Sequence, residues 1–158
     1  MAAFVHVIVT EAGIRWPGYL SDGTFGGEPI KFADVPGGTL ASMMAIPPTA
    51  QYRSEYTFLT PETYAVQYVT IVHSGGAILE LDGIGVNALE MGNRARTPYL
   101  TEDATRIGNS RWYRSTVLLG SGQHNILDLT GQAFGILVYA YSNDVSYAYP
   151  GGMDLTKE

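Results

Sequence analysis

The clearest alternation in the chain runs through TYAVQYVTIVHS (63–74), where Val66, Tyr68, Thr70 and Val72 oppose Gln67, Val69, Ile71 and His73. A period of two puts successive side chains on opposite faces, so this segment predicts a β-strand. SEYTFLT (54–60), stopped by Pro61, reads the same way, and in AILELDG (77–83) Ile78 and Glu80 oppose Leu79 and Leu81. Ser74-Gly75-Gly76 between the two runs predicts a hairpin, and Asp82-Gly83 a second turn before 84–86. RWYRSTVLL (111–119), HNILDL (124–129) and AFGILVYAYS (133–142) predict three further strands, with a turn at 120–122.

Elsewhere the pattern is looser. FVHVIVT (4–10) is apolar on both faces apart from His6, which predicts a strand covered on two sides. WPG, SDG, FGGEP and DVPGG punctuate 11–38 as turns and loops, leaving only pieces such as 30–32 to pair. LASMMAI (40–46) predicts a strand ended by Pro47-Pro48. Residues 87–110 are the least regular and predict a long excursion carrying Arg94, Arg96 and Arg106. No stretch shows a persuasive 3.6-residue period. Short strands at regular spacing predict an all-β, antiparallel β-sandwich, jelly-roll-like, with little helix. At 158 residues the chain reads as one domain, with a loop-rich part over 1–38 and a core over 40–155.

VYAYSNDVSYAYPGG (138–152) holds Tyr139, Tyr141, Tyr147 and Tyr149. A two-residue turn at Asn143-Asp144 pairs Ser142 with Val145 and sends the two tyrosine pairs to opposite faces. A three-residue turn (143–145) gathers all four on one face. The sequence leaves both registers open.

Composition narrows the function classes. The chain is 46% hydrophobic and 15% charged, which suits a globular fold. Its net charge of −6, with Lys31 and Lys157 as the sole lysines, argues against nucleic acid, whose affinity rests on neutralising phosphates. The absence of cysteine excludes thiol catalysis and Cys-based zinc sites within the chain. No run is long and apolar enough for a membrane span. MAAFVHVIVTEAG lacks the basic and apolar regions of a signal peptide, which leaves a cytosolic protein or a mature fragment of a secreted or surface protein, the second being the expectation.

Candidate chemistry is sparse. His6, His73 and His124 lack metal-ligand spacing, so no metal is expected from them. Ser121, His124 and Asp128 supply raw material for a nucleophilic triad, but GSGQH is no nucleophile elbow. The aspartates of LDGIG and LDLTG stand nearly alone beside turns, which favours Asx turns, with calcium held by converging loops as the alternative. Aromatics are the stronger class. Tyr52, Tyr56, Tyr64, Tyr68, Tyr139, Tyr141, Tyr147 and Tyr149 cluster in two stretches, and Trp112-Tyr113 open another strand. Flat rings with polar tips suit glycan stacking and protein interfaces, while the bland alternative is a core wall with hydroxyls at its rim.

Three segments in order carry a family resemblance: IPPTAQYRSEYTFLTPETYAVQYVTIV (46–72), GAILELDG (76–83) and STVLLGSGQHNILDLTGQAFGILVYAYSNDVSYAYPGG (115–152). Together they resemble the N-terminal domain family named for the IgGFc-binding protein, also found in bacterial secreted and surface proteins. Ala140 and Ala148 stand where the family pattern has glycine. The resemblance implies a non-enzymatic extracellular module that recognises a protein or glycan on a cell surface or in mucus. It supplies no catalytic residues and no cofactor.

From the residues, the expected binding positions are Trp112, Tyr113, Arg94, Arg96, Tyr147 and Tyr149. A second expectation is a self-assembling surface fibre or layer, a homo-oligomer formed by strand addition through Phe4–Thr10. A carbohydrate-active hydrolase ranks third, because its two carboxylates must face one cleft and the acids here are scattered.

Overall fold

The computed structural model describes residues 44–89, 98–142 and 145–156, together with the backbone pairing of Phe4–Val5 (β1), Val9–Thr10 (β2) and Gly13–Ile14 (β3). The remaining strands are β4 (Met44–Ala45), β5 (Glu55–Thr60), β6 (Val66–Ser74), β7 (Leu79–Leu81), β8 (Ile84–Gly85) and β9 (Tyr99–Arg106). They are followed by β10 (Trp112–Leu119), β11 (Gly122–Asp128), β12 (Gly135–Ser142) and β13 (Val145–Pro150). Helical structure among the described residues amounts to two single 3-10 turns, Thr49–Gln51 and Val86–Ala88.

Two antiparallel sheets face each other. One has the order β13-β12-β6-β10-β9 and the other β5-β11-β7-β8. Inward side chains of both meet in one core: Val69, Ile71, Val117 and Val138 from the larger sheet, Phe58, Leu81 and Ile126 from the smaller. Phe134, fully buried, sits where β12 begins, edge-on to Tyr56 with ring centroids 5.1 Å apart. The Tyr56 hydroxyl donates to the Phe134 carbonyl at 2.6 Å and accepts the Arg53 N–H at 2.9 Å, closing that end of the core. This is the all-β sandwich that the alternation predicts.

The larger sheet is buried on its outer face as well. Tyr68 and Tyr139 stack with centroids 5.2 Å apart, and Tyr141 meets Tyr139 edge-on at 5.8 Å. All three are buried, with Val66, Leu118 and Ala148 against them. Burial on both faces explains why β12 reads as a continuous apolar run instead of an alternating one. Ser142 pairs with Val145, so the two-residue register holds. Tyr139 and Tyr141 therefore face outward, while Tyr147 and Tyr149 turn inward against the main core.

Two expectations need correction. The 74–76 turn exists, but β6 and β7 belong to opposite sheets, so it is a corner and not a hairpin. Gly75 fits there because a Cβ would press on the Tyr113 ring. The 87–110 excursion contains β9, an eight-residue edge strand paired with β10. Its exposed, polar TEDATR carries no hydrophobic period, and its pairing is broken by two register shifts that suit an edge needing protection from further pairing. At the N-terminus Phe4–Val5 pair with Met44–Ala45, and Val9–Thr10 with Gly13–Ile14. Residues 6–8 and 30–32, with Arg94 and Arg96, lie outside the described residues.

Candidate functional site

Two histidines meet hydroxyls in the core. His124, on an inward position of β11, places Nε2 3.0 Å from Thr60 Oγ1 and Nδ1 2.7 Å from Asp82 Oδ2. The arrangement has the form of a hydroxyl–imidazole–carboxylate relay. Its hydroxyl, however, is 1% exposed and donates to the Gly120 carbonyl at 2.7 Å. A substrate carbonyl has no approach to that oxygen. His73 repeats the theme, with Nε2 3.2 Å from Ser115 Oγ and Nδ1 2.8 Å from the Ser74 carbonyl. An N–H on Nδ1 leaves Nε2 to accept from the serine, and Ser115 is equally buried. Both constellations bind strands together.

The grouping of Ser121, His124 and Asp128 does not assemble. Ser121 is exposed, His124 takes Asp82 as its acid, and Asp128 Oδ1 accepts from the Thr130 N–H at 2.7 Å and hydroxyl at 2.6 Å. The last pair is the Asx turn that LDLTG predicts. LDGIG instead folds as a two-residue hairpin turn with φ of 52° at Asp82 and 81° at Gly83. No group of three metal-ligating side chains occurs among the described residues.

The expected binding residues separate onto different surfaces. Trp112 pairs with Ser74 on the outer face of the larger sheet, whereas Tyr113 pairs with His73 on the inner face and stacks on that ring at 6.2 Å. Tyr147 and Tyr149 lie on β13, at the other edge of the sheet. Their hydroxyls reach Gln67 Oε1 (3.2 Å) and the Leu59 carbonyl (2.6 Å), the latter across to the smaller sheet. Tyr64 caps the pair edge-on to Tyr147, with centroids 4.6 Å apart. Burial raises the phenol pKa of both Tyr147 and Tyr149, with neighbouring rings adding to the effect at Tyr147.

Around Trp112 a distinct group forms. Tyr52 lies against it edge-on at 5.5 Å, and the Arg111 guanidinium carbon stands 5.1 Å from the indole centroid. Tyr52 reaches this position because Gly135 leaves room for its ring, where any Cβ would overlap it. Burial, reinforced by nearby Tyr56, pushes the Tyr52 phenol up to about 12. Beside Trp112, Arg114 donates from Nε and Nη2 to Glu102 Oε1 at 3.0 and 2.7 Å. The cavity between residues 46–52 and the sheet holds about 60 Å³ and is lined by Ile46, Pro47, Tyr52, Val72 and Gly135, among others. Small-molecule sites span roughly 300–1,000 Å³, so this cavity is too small to hold one. Sequence alone places Tyr52 among the clustered tyrosines but links neither it nor Arg111 to Trp112. The signal available was a glycine inside a strongly apolar strand, which marks a close approach of something large.

No curated protein and no solved structure matches the chain. A family model described as IgGFc binding protein matches residues 31–140. The match begins ahead of the stretch at 40–155 that carries the resemblance and stops before β13. It spans the Tyr56 closure, the Asp82–His124 contact and the Tyr52–Gly135–Trp112 group alike, and on that match the chain belongs to the IgGFc binding protein family.

Proposed function

We propose that this chain is a non-enzymatic extracellular module that binds a protein partner, and that the seat of binding is the Trp112 group at the outer end of β10. The family's description supports a protein ligand. The observation that carries the location is the composition of the group: Trp112 meets both Tyr52 and Arg111, with Arg111 exposed, Trp112 half-buried and Tyr52 buried as its support. These three residue types dominate binding hot spots, where a rigid ring seats the partner and a cation directs it. One face of Trp112 lies under Arg111, which disfavours the sugar stacking that a glycan ligand needs.

The test is biolayer interferometry of the immobilised domain against immunoglobulin Fc fragments and mucus glycoproteins, native and deglycosylated. Saturable binding that survives deglycosylation and is lost in Trp112→Ala, with melting preserved, is the expected result. Loss of binding on deglycosylation would move the ligand to glycan, and unchanged binding by Trp112→Ala would remove the seat.

Self-assembly by strand addition is the second reading. It draws support from the β1–β4 pairing, which among the described residues involves two residues on each side and which a neighbour's strand would reproduce. Deleting residues 1–10 and measuring size by light scattering separates the two. An unchanged monomer before and after deletion would sink strand exchange.

A further inference from the structure

We infer that the tip of the β9–β10 hairpin is an electropositive arm that docks an acidic segment of a protein partner. The inference rests on the protein-binding reading above and adds the chemistry of what is bound. The chain carries 15 acidic against 9 basic side chains, yet RIGNSRWYR (106–114) holds three arginines and no carboxylate. Within it, only Arg114 has a carboxylate partner among the described residues, the Glu102 contact at 2.7 Å.

Arg106 is fixed by the backbone. Its Nε donates to the Ser110 carbonyl at 2.7 Å and its Nη2 to the Asn109 carbonyl at 3.3 Å. Carbonyls orient a guanidinium without cancelling its charge. Arg111 is exposed and rests over the Trp112 ring, which likewise positions the cation and leaves its charge in place. Ile107, which follows Arg106 in the chain, is 40% exposed, and its N–H bonds to the Trp112 carbonyl at 2.9 Å. Asp103, the nearest acid along β9, has one carboxylate oxygen taken by the Ala104 N–H at 2.6 Å.

The tip therefore offers two oriented guanidinium groups and one exposed aliphatic side chain on a single hairpin end, on a molecule whose net charge is negative. A planar guanidinium fork matches a carboxylate bidentately. The complementary surface is a peptide segment with an apolar residue between carboxylates. A net charge of −6 disfavours such a segment over the molecule as a whole, so the arm also favours one orientation of encounter.

The test uses fluorescence anisotropy with a labelled Glu-Leu-Glu-rich peptide, its Lys-for-Glu counterpart, and heparin as a competing polyanion. Arg111→Glu is compared with Arg53→Glu, an equal charge change at another exposed arginine, and both are checked for an unchanged melting midpoint. The expected result is binding of the acidic peptide alone, weakened about tenfold by Arg111→Glu and little by Arg53→Glu. Arg111→Gln should fall between, which covers the case in which charge reversal disturbs the hairpin. Equal weakening by both reversals, binding of the lysine peptide, or heparin binding without peptide binding would each overturn the inference. If Arg111→Glu leaves capture of the natural partner intact while Trp112→Ala abolishes it, the seat stands and the acidic-segment reading falls. If neither change matters, the seat itself is wrong.

Discussion

His124 and Asp82, 42 positions apart, are joined by a 2.7 Å hydrogen bond between Nδ1 and Oδ2. The other Asp82 oxygen accepts the Asn125 N–H at 2.8 Å, so one carboxylate ties the β7–β8 turn to β11 twice. Asp82 alone among the described non-glycine residues has a positive φ, a conformation that aspartate and asparagine tolerate better than most. The turn needs Asp for its backbone shape and for its acceptors at once. The Leu-Asp-Gly and Gly-x-His segments that carry the family resemblance are thus two halves of one contact.

Asp82→Ala should therefore destabilise the domain by about 2–3 kcal/mol, the loss of charge-assisted bonds plus backbone strain. Asp82→Asn keeps the turn and the bond to Asn125 but offers His124 an amide in place of a carboxylate, and should cost about 1 kcal/mol. Urea unfolding with a shared m-value measures both. Equal losses in the two variants would show that the carboxylate–imidazole bond contributes nothing beyond turn shape.

Tyr149→Phe should lower stability by about 1 kcal/mol, because its hydroxyl makes a 2.6 Å bond to Leu59 across the two sheets. Ring packing against Tyr147 is retained, with centroids 5.7 Å apart in the parent. Tyr149→Ala should cost clearly more, since it also removes the ring from the core margin. If Phe and Ala are equivalent in chemical unfolding, the ring does not pack as described.

How much of this was legible in the sequence follows from burial. Strands β5, β6, β10 and β12 showed themselves because a buried face imposes apolar spacing, and in β6 and β12 two buried faces do so. β9 leaves no such mark in the sequence, because an exposed, irregularly paired edge strand is under no such constraint. The VYAYSNDVSYAYPGG register was open because both turn lengths obey the same local chemistry. Ser142 opposite Val145 decided it only through pairing. Trp112 was visible as an aromatic, but its neighbours Tyr52 and Gly135 come from distant segments, and no local pattern links them.

Alkaline pH should unfold the domain earlier than its core size implies. The Tyr52 phenol rises from 10.0 to about 12 on folding, and burial raises Tyr56, Tyr147 and Tyr149 as well. A folded pKa above the unfolded one means that the native state holds its protons where the unfolded state has released them. This contribution is complete below about pH 10 and falls as pH climbs toward 12. Absorbance titration near 295 nm should show a late-ionising group of tyrosines, released together with loss of the β spectrum. In Tyr52→Phe the late group should shrink and the alkaline midpoint rise. An unchanged titration would place Tyr52 in water.

Gly135 and Tyr52 give the sharpest test of the outer-face packing. A Cβ on Gly135 overlaps the Tyr52 ring, so Gly135→Ala must move that ring off the sheet and away from Trp112, which it meets at 5.5 Å. Overpacking of this kind costs about 1–3 kcal/mol. Alanine also suits a strand better than glycine, a gain masked while Tyr52 is present. Tyr52→Ala alone loses a buried ring and should cost about 3 kcal/mol. In the double variant the clash is gone, so its loss should fall short of the sum of the two single losses by at least about 1 kcal/mol. Strict additivity in a double-mutant cycle would mean that the ring does not lie over Gly135, and would detach Tyr52 from the proposed seat at Trp112.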